Sequence, residues 1–326
     1  MVLVQRGQTT REVAAELQRV GLLRGTLGFQ VLARLMRLDR HVQAGQYSLR
    51  PGITVPALLR ALARGMSGLD LVTVPEGLTL AEVSDILSRH LGVPAAAFDS
   101  LARSRAFLDS LGIAAPSLEG FLAPDSYEFL PGTAPEVAFR TMVSRREEEL
   151  RAAAAGRDSL PLGLTLYQVL TLASIVDAEA QVADERPHIA RVYLNRLQTG
   201  KLMQADPTVA YALGMSPRSR LFYRQYRHES AYNTYIHPGL PPGPICNPGR
   251  ASVAAVLDAT PGAKDQFFVA RGDGRHEFAE TYAQHVLNIR MVHSMRPEVD
   301  SLAMADSGGV APGRQTAARK VLSRTP

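Results

Sequence analysis

Apolar and polar positions along this chain alternate in a way that predicts short strands followed by amphipathic helices, and one junction recurs three times. Gly7-Gln8-Thr9, Gly52-Ile53-Thr54 and Gly77-Leu78-Thr79 each follow a short extended stretch. Each precedes apolar residues at helical spacing, Val13 to Leu17, Leu58 to Leu62 and Val83 to Leu87. Thr9 with Glu12, and Thr79 with Glu82, have the spacing of a capping box, in which hydroxyl and carboxylate satisfy the free N–H groups of a helix start. The repeating unit is strand, glycine turn, threonine-capped helix. Residues 1–66 are therefore predicted as β-α-α-β-α, with Gln46–Leu49 as the second strand, and residues 71–74 as a short strand before a Pro75-Glu76-Gly77 turn. Helices are predicted at 134–155, 165–180, 187–198, 250–258 and 280–292, and a strand at 266–270. Residues 116–129 are rich in turn formers and aromatics. The run Arg145-Arg146-Glu147-Glu148-Glu149 reads as a solvated helix face. From residue 297 the chain is rich in Ser, Gly, Ala and Pro, and a disordered tail is expected. The fold class is α+β.

One helix carries an acid in apolar company. Thr165 and Gln168 form a capping box, and Leu166, Val169, Leu170, Ala173 and Val176 follow at helical spacing up to Glu179. Ile175 and Leu172 stand four and seven residues before Glu179, on its side of the helix. A carboxyl group reached along such a face loses water, which penalises its charged form and raises its pKa. An acid still protonated near neutral pH suits glycosidic bond cleavage. A solvent-facing glutamate at a helix end remains the commoner case for the helix taken alone.

Composition narrows the field. The chain has 326 residues, enough for two domains, with 46% hydrophobic and 21% charged content. One cysteine, Cys246, permits no internal disulfide. No run of about 18 apolar residues is present to span a bilayer. The net charge of +5 argues weakly for nucleic acid. The last 26 residues hold Arg314, Arg319, Lys320 and Arg324 against Asp306, a net +3, which leaves +2 for the rest. No basic block of the kind that binds phosphate backbones lies in the folded part, and no nucleic-acid partner is expected. Only three of the 36 basic residues are lysines, a bias that speaks of genome composition.

Beyond Glu179, polar groups gather within 75 residues: Asn195, Gln204, Asp206, Tyr232, Asn233, Thr234 and Tyr235. Five of the ten tyrosines fall between 211 and 235. A tyrosine offers a flat apolar face with a polar tip, which suits sugar rings, although core packing accounts for Tyr193 and some of the others. Five prolines between 238 and 249 stiffen that segment into an expected wall beside a cleft. There is no HExxH pair, cysteine zinc set, G-x-S-x-G elbow or phosphate loop. His276 and His285 read as structural or cleft-lining rather than metal-binding.

Six runs then match one family in order. They are Ala173-Ser174-Ile175-Val176-Asp177-Ala178-Glu179, Val192-Tyr193-Leu194-Asn195-Arg196-Leu197, Met203-Gln204-Ala205-Asp206-Pro207-Thr208-Val209, Tyr232-Asn233-Thr234-Tyr235, Gly239 to Ile245 and Asn247-Pro248-Gly249. Leu118 to Tyr127 fits the same pattern. The chain resembles the endolytic murein transglycosylases of the MltG/YceG type over roughly residues 1–292. The resemblance implies a LysM-like domain at 1–70 and a YceG-like catalytic domain at 71–296, in which 71–158 connect and 159–296 form the catalytic core, with the tail at 297–326. It implies Glu179 as the catalytic residue and no cofactor. Glu119, Asn195, Gln204, Asp206, Tyr232, Asn233, Thr234 and Tyr235 would bind substrate. The acidic position two residues before Glu179 is Asp177 here, where the family commonly has glutamate, and it receives no catalytic role. On a helix it should point away from the sugar.

The implied reaction cuts the β-1,4 bond between N-acetylmuramic acid and N-acetylglucosamine. Glu179 gives a proton to the leaving oxygen and then takes one from the muramic C6 hydroxyl as that oxygen closes on C1. No water adds, so no second carboxylate is needed. The partners implied are peptidoglycan strands and their synthases at the outer face of the membrane, with an anchoring segment expected upstream of Met1. A glycan-binding protein without activity, and a hydrolase using Asp206 or Glu119 as base, are the other readings.

Overall fold

The computed structural model describes residues 2–5, 7–39, 41–47, 52–64, 71–129 and 131–295. The order read from the first part of the chain is present: β1 (Val2–Val4), α1 (Thr10–Arg19), α2 (Thr26–Leu35), β2 (Gly45–Tyr47) and α3 (Val55–Arg64). β1 and β2 pair antiparallel, with Val2 opposite Tyr47. Their inward residues close over Val13, Leu17, Phe29, Leu58 and Leu62, a small core of its own. Residues 48 and 49 of the predicted second strand, and the predicted tail from 297, lie outside the described residues.

The middle of the chain forms β3 (Leu71–Val74), α4 (Leu80–Leu91), α5 (Ala95–Ala102), α6 (Arg105–Ser110), β4 (Asp125–Glu128) and α7 (Pro135–Ala154). Thr9 and Thr79 both make the capping boxes their spacing predicts. Gly77 turns at φ +78°, where a side chain would be strained and would also meet Arg218 and Asp177. The strand β4 was not visible in the sequence. Only Tyr127 of its four residues points inward, and its partner β3 lies some fifty residues earlier, so there was no local alternation to read. A second core gathers Val72, Val83, Leu87, Phe98, Phe139 and Met142. Arg146 corrects the reading of its charge run. It is fully buried, with Glu149 beside it at 2.9 Å, and it donates to the carbonyl oxygens of Leu122 and Pro248.

The last part consists of α8 (Leu166–Glu179), α9 (Arg186–Gln198), α10 (Asp206–Ala212), α11 (Arg250–Leu257), β5 (Phe267–Ala270), β6 (His276–Ala279) and α12 (Tyr282–Met295). β5 and β6 form an antiparallel pair, with Phe268 opposite Phe278. Every residue from Val169 to Asp177 is buried, so α8 is apolar on all sides rather than on one face. It is the central helix of the third core, packed against α9 and α11. Leu166, expected to be inside, is exposed in its first turn.

The second and third cores meet at a seam. Phe121 packs against both. Buried Asn247 accepts the Leu122 N–H at 2.9 Å and donates to the Leu78 carbonyl at 3.0 Å. Its backbone pairs with Leu78 and Gly77. Among the described residues no helix is long and apolar enough to cross a membrane.

Candidate active site

Glu179 is the last residue of α8, held there by the Thr165–Gln168 capping box at the other end and by the buried helix between. The free carbonyl groups of a helix C-terminus carry partial negative charge, which already disfavours a carboxylate at that position. Tyr193, two turns into α9, donates its hydroxyl to Glu179 Oε1 at 2.8 Å. Burial pushes the Glu179 carboxyl up to about 7; the Tyr193 hydrogen bond pulls it down, and the charge of Asp206 pushes it up. The acid is therefore substantially protonated at neutral pH. Burial and the neighbouring Glu179 also push the Tyr193 hydroxyl up, so it stays a donor.

Glu179 opens into a cavity of about 320 Å³ lined by Tyr193, Arg196, Gln204, Asp206, Tyr235, Phe268, His276 and His285, among others. Asp206 is the first residue of α10 but does not cap it; Ala205 stands at the cap. Instead it accepts the hydroxyls of Tyr226, at 2.9 Å, and Tyr235, whose rings meet edge to face at 4.8 Å. Asp206 thus orders the cleft rather than the helix. Gln204 stands beside it with φ +54°, a left-handed conformation rare outside glycine. Its N–H is held by the Thr234 carbonyl, and its side-chain oxygen accepts Arg196 at 3.0 Å.

Of the expected site residues, the cavity brings Gln204, Asp206 and Tyr235 to Glu179. The other five make contacts that build the framework around it. Asn195 ties α9 to the backbone before β5 by donating to the carbonyls of Ala263 and Asp265. Asn233 is fully buried and clamps the carbonyls of Tyr226 and His228 while accepting the Tyr235 N–H. Thr234 accepts the Ala205 N–H and meets Thr208, fixing the entry to α10. Tyr232 packs against Tyr211 with ring centroids 5.0 Å apart. Glu119 is buried at the seam, where it accepts the Leu80 N–H at the start of α4 and the Tyr211 hydroxyl. Burial pushes its carboxyl up to about 8.

Asp177 points away from the cavity, as helical geometry requires, but it is fully buried rather than solvated. It accepts the Gly249 N–H at 2.9 Å, the Ser252 hydroxyl at 2.8 Å and the Arg218 guanidinium at 2.9 Å. The proline segment does line a groove, of about 650 Å³ with Tyr167, Gln168 and Leu197, but this is not the cavity of Glu179. Among the described residues no cluster of three or more His, Cys, Asp or Glu side chains is arranged to hold a metal ion.

Sequence reasoning missed Tyr193, read as core packing. It is core, and its hydroxyl also holds the acid; nothing local in the sequence signals that contact. Phe268 was likewise hidden, because it faces the cavity only through the pairing of β5 with β6, whereas His276 and His285, read as structural or cleft-lining, both line the cavity.

The chain belongs to the YceG-like family, whose model matches residues 2–291. Among its relatives is a protein of Bacillus subtilis (strain 168) named endolytic murein transglycosylase, 27% identical over 86% of this chain and 81% of that protein. A protein of Streptococcus pneumoniae with the same name is 25% identical over 88% of this chain, which spans 57% of that longer protein. The 2.6 Å crystal structure of a yceG-like protein of Listeria monocytogenes superposes with a TM-score of 0.60 and 26% identity, covering 88% of this chain and 97% of that one.

Proposed function

We propose that this chain is an endolytic lytic transglycosylase of peptidoglycan, with Glu179 as its acid. The observation that carries the reading is the Glu179 carboxyl group, raised to about 7 and held by Tyr193 at the wall of a cavity whose other carboxylate, Asp206, is tied to two tyrosine hydroxyls. The names of its relatives support the substrate class. Glu179 protonates the oxygen leaving C1 of N-acetylmuramic acid. The C1–O bond breaks with its electron pair on that oxygen, and positive charge develops on the ring. The C6 hydroxyl then closes on C1, and its proton completes the cycle by returning to Glu179. The new strand end is 1,6-anhydro-N-acetylmuramic acid. Cutting within nascent strands beside their synthases, at the outer face of the membrane, would end glycan elongation.

Asp206 is poorly suited to the hydrolase alternative. Both its oxygens are engaged by tyrosine hydroxyls, so it is not free to orient an attacking water. Its charge sits close enough to raise Glu179 and would stabilise the cationic ring instead. The test is mass spectrometry of glycan fragments after incubation with the purified chain. Anhydro ends are expected. Intact strands would return the chain to glycan binding alone, and reducing ends only would make it a hydrolase.

A further inference from the structure

The residues between α10 and Tyr232 carry charge and aromatic surface that the reaction above does not use. From Ser216 to His228 there are four arginines, Arg218, Arg220, Arg224 and Arg227, and no acidic residue. Arg218 is taken by Asp177 at 2.9 Å. Arg220, Arg224 and Arg227 are exposed, and none has a carboxylate within ion-pair distance among the described residues. Phe222 and Tyr223 stand among them, 73% and 63% exposed. Two adjacent rings left in water forgo the burial that side chains of this size ordinarily gain.

The segment is held firmly. Leu221 is buried with Val209 and Ala210 of α10, and Tyr226 and Tyr235 pack on the same small cluster. The Gln225 side chain accepts the Phe222 N–H at 2.6 Å, and buried Asn233 donates to the carbonyls of Tyr226 and His228. Tyr223–Arg227 form a short 3₁₀ helix, in which side chains three apart stand on the same side. From that helix Tyr226 reaches Asp206 at 2.9 Å, and Asp206 lines the Glu179 cavity. Tyr223 therefore stands on the side of Tyr226, one turn or about 6 Å along from the contact with the cavity wall. Arg227 lies over the Tyr223 ring, 5.7 Å from its centroid, and Arg224 shares the side of Arg227. A ring with two unpaired guanidinium groups is thus fixed beside the cavity that holds the acid.

We propose that Tyr223, Arg224 and Arg227 form a subsite for the peptide-bearing part of the glycan strand, an inference that rests on the transglycosylase reading. In peptidoglycan the peptide stem sits on the lactyl group of N-acetylmuramic acid and carries free carboxylates. A guanidinium offers paired N–H donors that match a carboxylate, and the face of a tyrosine suits the apolar face of a sugar. Each exposed pair is weak and screened by salt, so the two arginines act together. The subsite distinguishes strands that carry stems from bare glycan. It binds away from the bond that breaks, so it acts on KM and leaves kcat alone. A bilayer or a nucleic acid would present phosphates to the same arginines; the link through Tyr226 to Asp206 favours the strand.

The test uses the full chain carrying Glu179→Gln, so that strands bind without being cut. Affinity is measured for strands with peptide stems and for strands stripped of them by an amidase, at low and at high salt. Stem-bearing strands should bind about fivefold tighter at low salt, and the difference should shrink as salt rises. Adding Arg224→Gln and Arg227→Gln together should abolish the difference while affinity for stripped strands and melting temperature stay unchanged, since both side chains are exposed. Lysine at both positions keeps the charge but loses the paired donors, and should retain part of the difference. In the chain with Glu179 intact, the glutamine pair should raise KM on stem-bearing strands about fivefold at constant kcat. Equal affinity for the two kinds of strand, or a difference that survives the glutamine pair, would overturn the proposal. So would a glutamine pair that releases phosphatidylglycerol vesicles while strand affinity is intact, which would assign the arginines to a membrane surface. Should the chain show the preference and yet leave every strand uncut, the transglycosylase reading falls while the subsite stands, because affinity is read without cleavage.

Discussion

At the scale of single residues the site turns on the state of one carboxyl. Glu179→Gln keeps the shape and the bond from Tyr193 but has no proton to give, so cleavage should vanish while glycan binding and melting temperature persist. Turnover near the wild-type rate would remove Glu179 from its role. With the carboxyl raised to about 7, the rate should hold below that pH and decline above it, as the acid form disappears. Tyr193→Phe tests the same group from the other side. Its hydrogen bond lowers the Glu179 pKa, so its loss should move the declining limb to higher pH. The rate itself should drop roughly ten- to a hundredfold, the worth of one hydrogen bond to a charged group, about 1.5–3 kcal/mol. A pH profile superimposable on the wild-type one would exclude this contact from the mechanism.

At the scale of elements, α8 has a functional end and a structural side. Asp177 lies two residues before the acid and faces the other way, onto the turn that starts α11. In Asp177→Asn an amide N–H would face donors at Gly249, Ser252 or Arg218, and the half-exposed Arg218 would lose its charged partner. The cost should be roughly 1–3 kcal/mol, read as a melting temperature lower by several degrees. Activity per folded molecule should remain. Full stability together with a collapsed rate would instead place Asp177 in the chemistry. The helix was legible in the sequence because its cap and apolar spacing are local. That it is buried on every side was not, since the elements packed on it come from residues up to eighty positions away.

At the scale of the molecule, three larger cores and a small cluster around Val209, Ala210 and Leu221 form among the described residues, and the seam between the second and third cores carries Glu119 and Asn247. Glu119 has a carboxyl raised from 4.5 to about 8. The folded state therefore binds this proton more tightly than the unfolded one. Its stabilising effect is complete below about pH 4.5 and is lost as pH rises from there to about 8. Glu119→Gln keeps an acceptor for the Leu80 N–H and cannot ionise, so its melting temperature should decline less across that window than the wild-type value. Parallel melting curves from pH 5 to 8 would refute the assignment. Asn247→Ala removes the side-chain bonds to Leu122 and Leu78; the Leu78 carbonyl keeps the backbone N–H of residue 247, and the Leu122 N–H loses its partner at the seam. A loss of roughly 1–3 kcal/mol follows from one buried group left without a partner, and chemical denaturation should report it.

The sequence by itself determined the elements whose signals are short-range. The threonine caps, the glycine turns, the apolar run of α8 and the acid at its end all lie within one or two helical turns of each other, where spacing alone specifies contact. The run of motifs likewise placed the chain in its family. Only the tertiary structure decided which polar groups share a cavity. Asn195 and Asn233, expected as sugar ligands, hydrogen-bond to backbone groups, and Thr234 to the Ala205 N–H and the Thr208 hydroxyl. Tyr193 looked like core but holds the acid. A polar side chain can satisfy itself against backbone, solvent or ligand with the same atoms. Which of these it meets is set by the packing of distant elements, and a linear pattern contains no record of that.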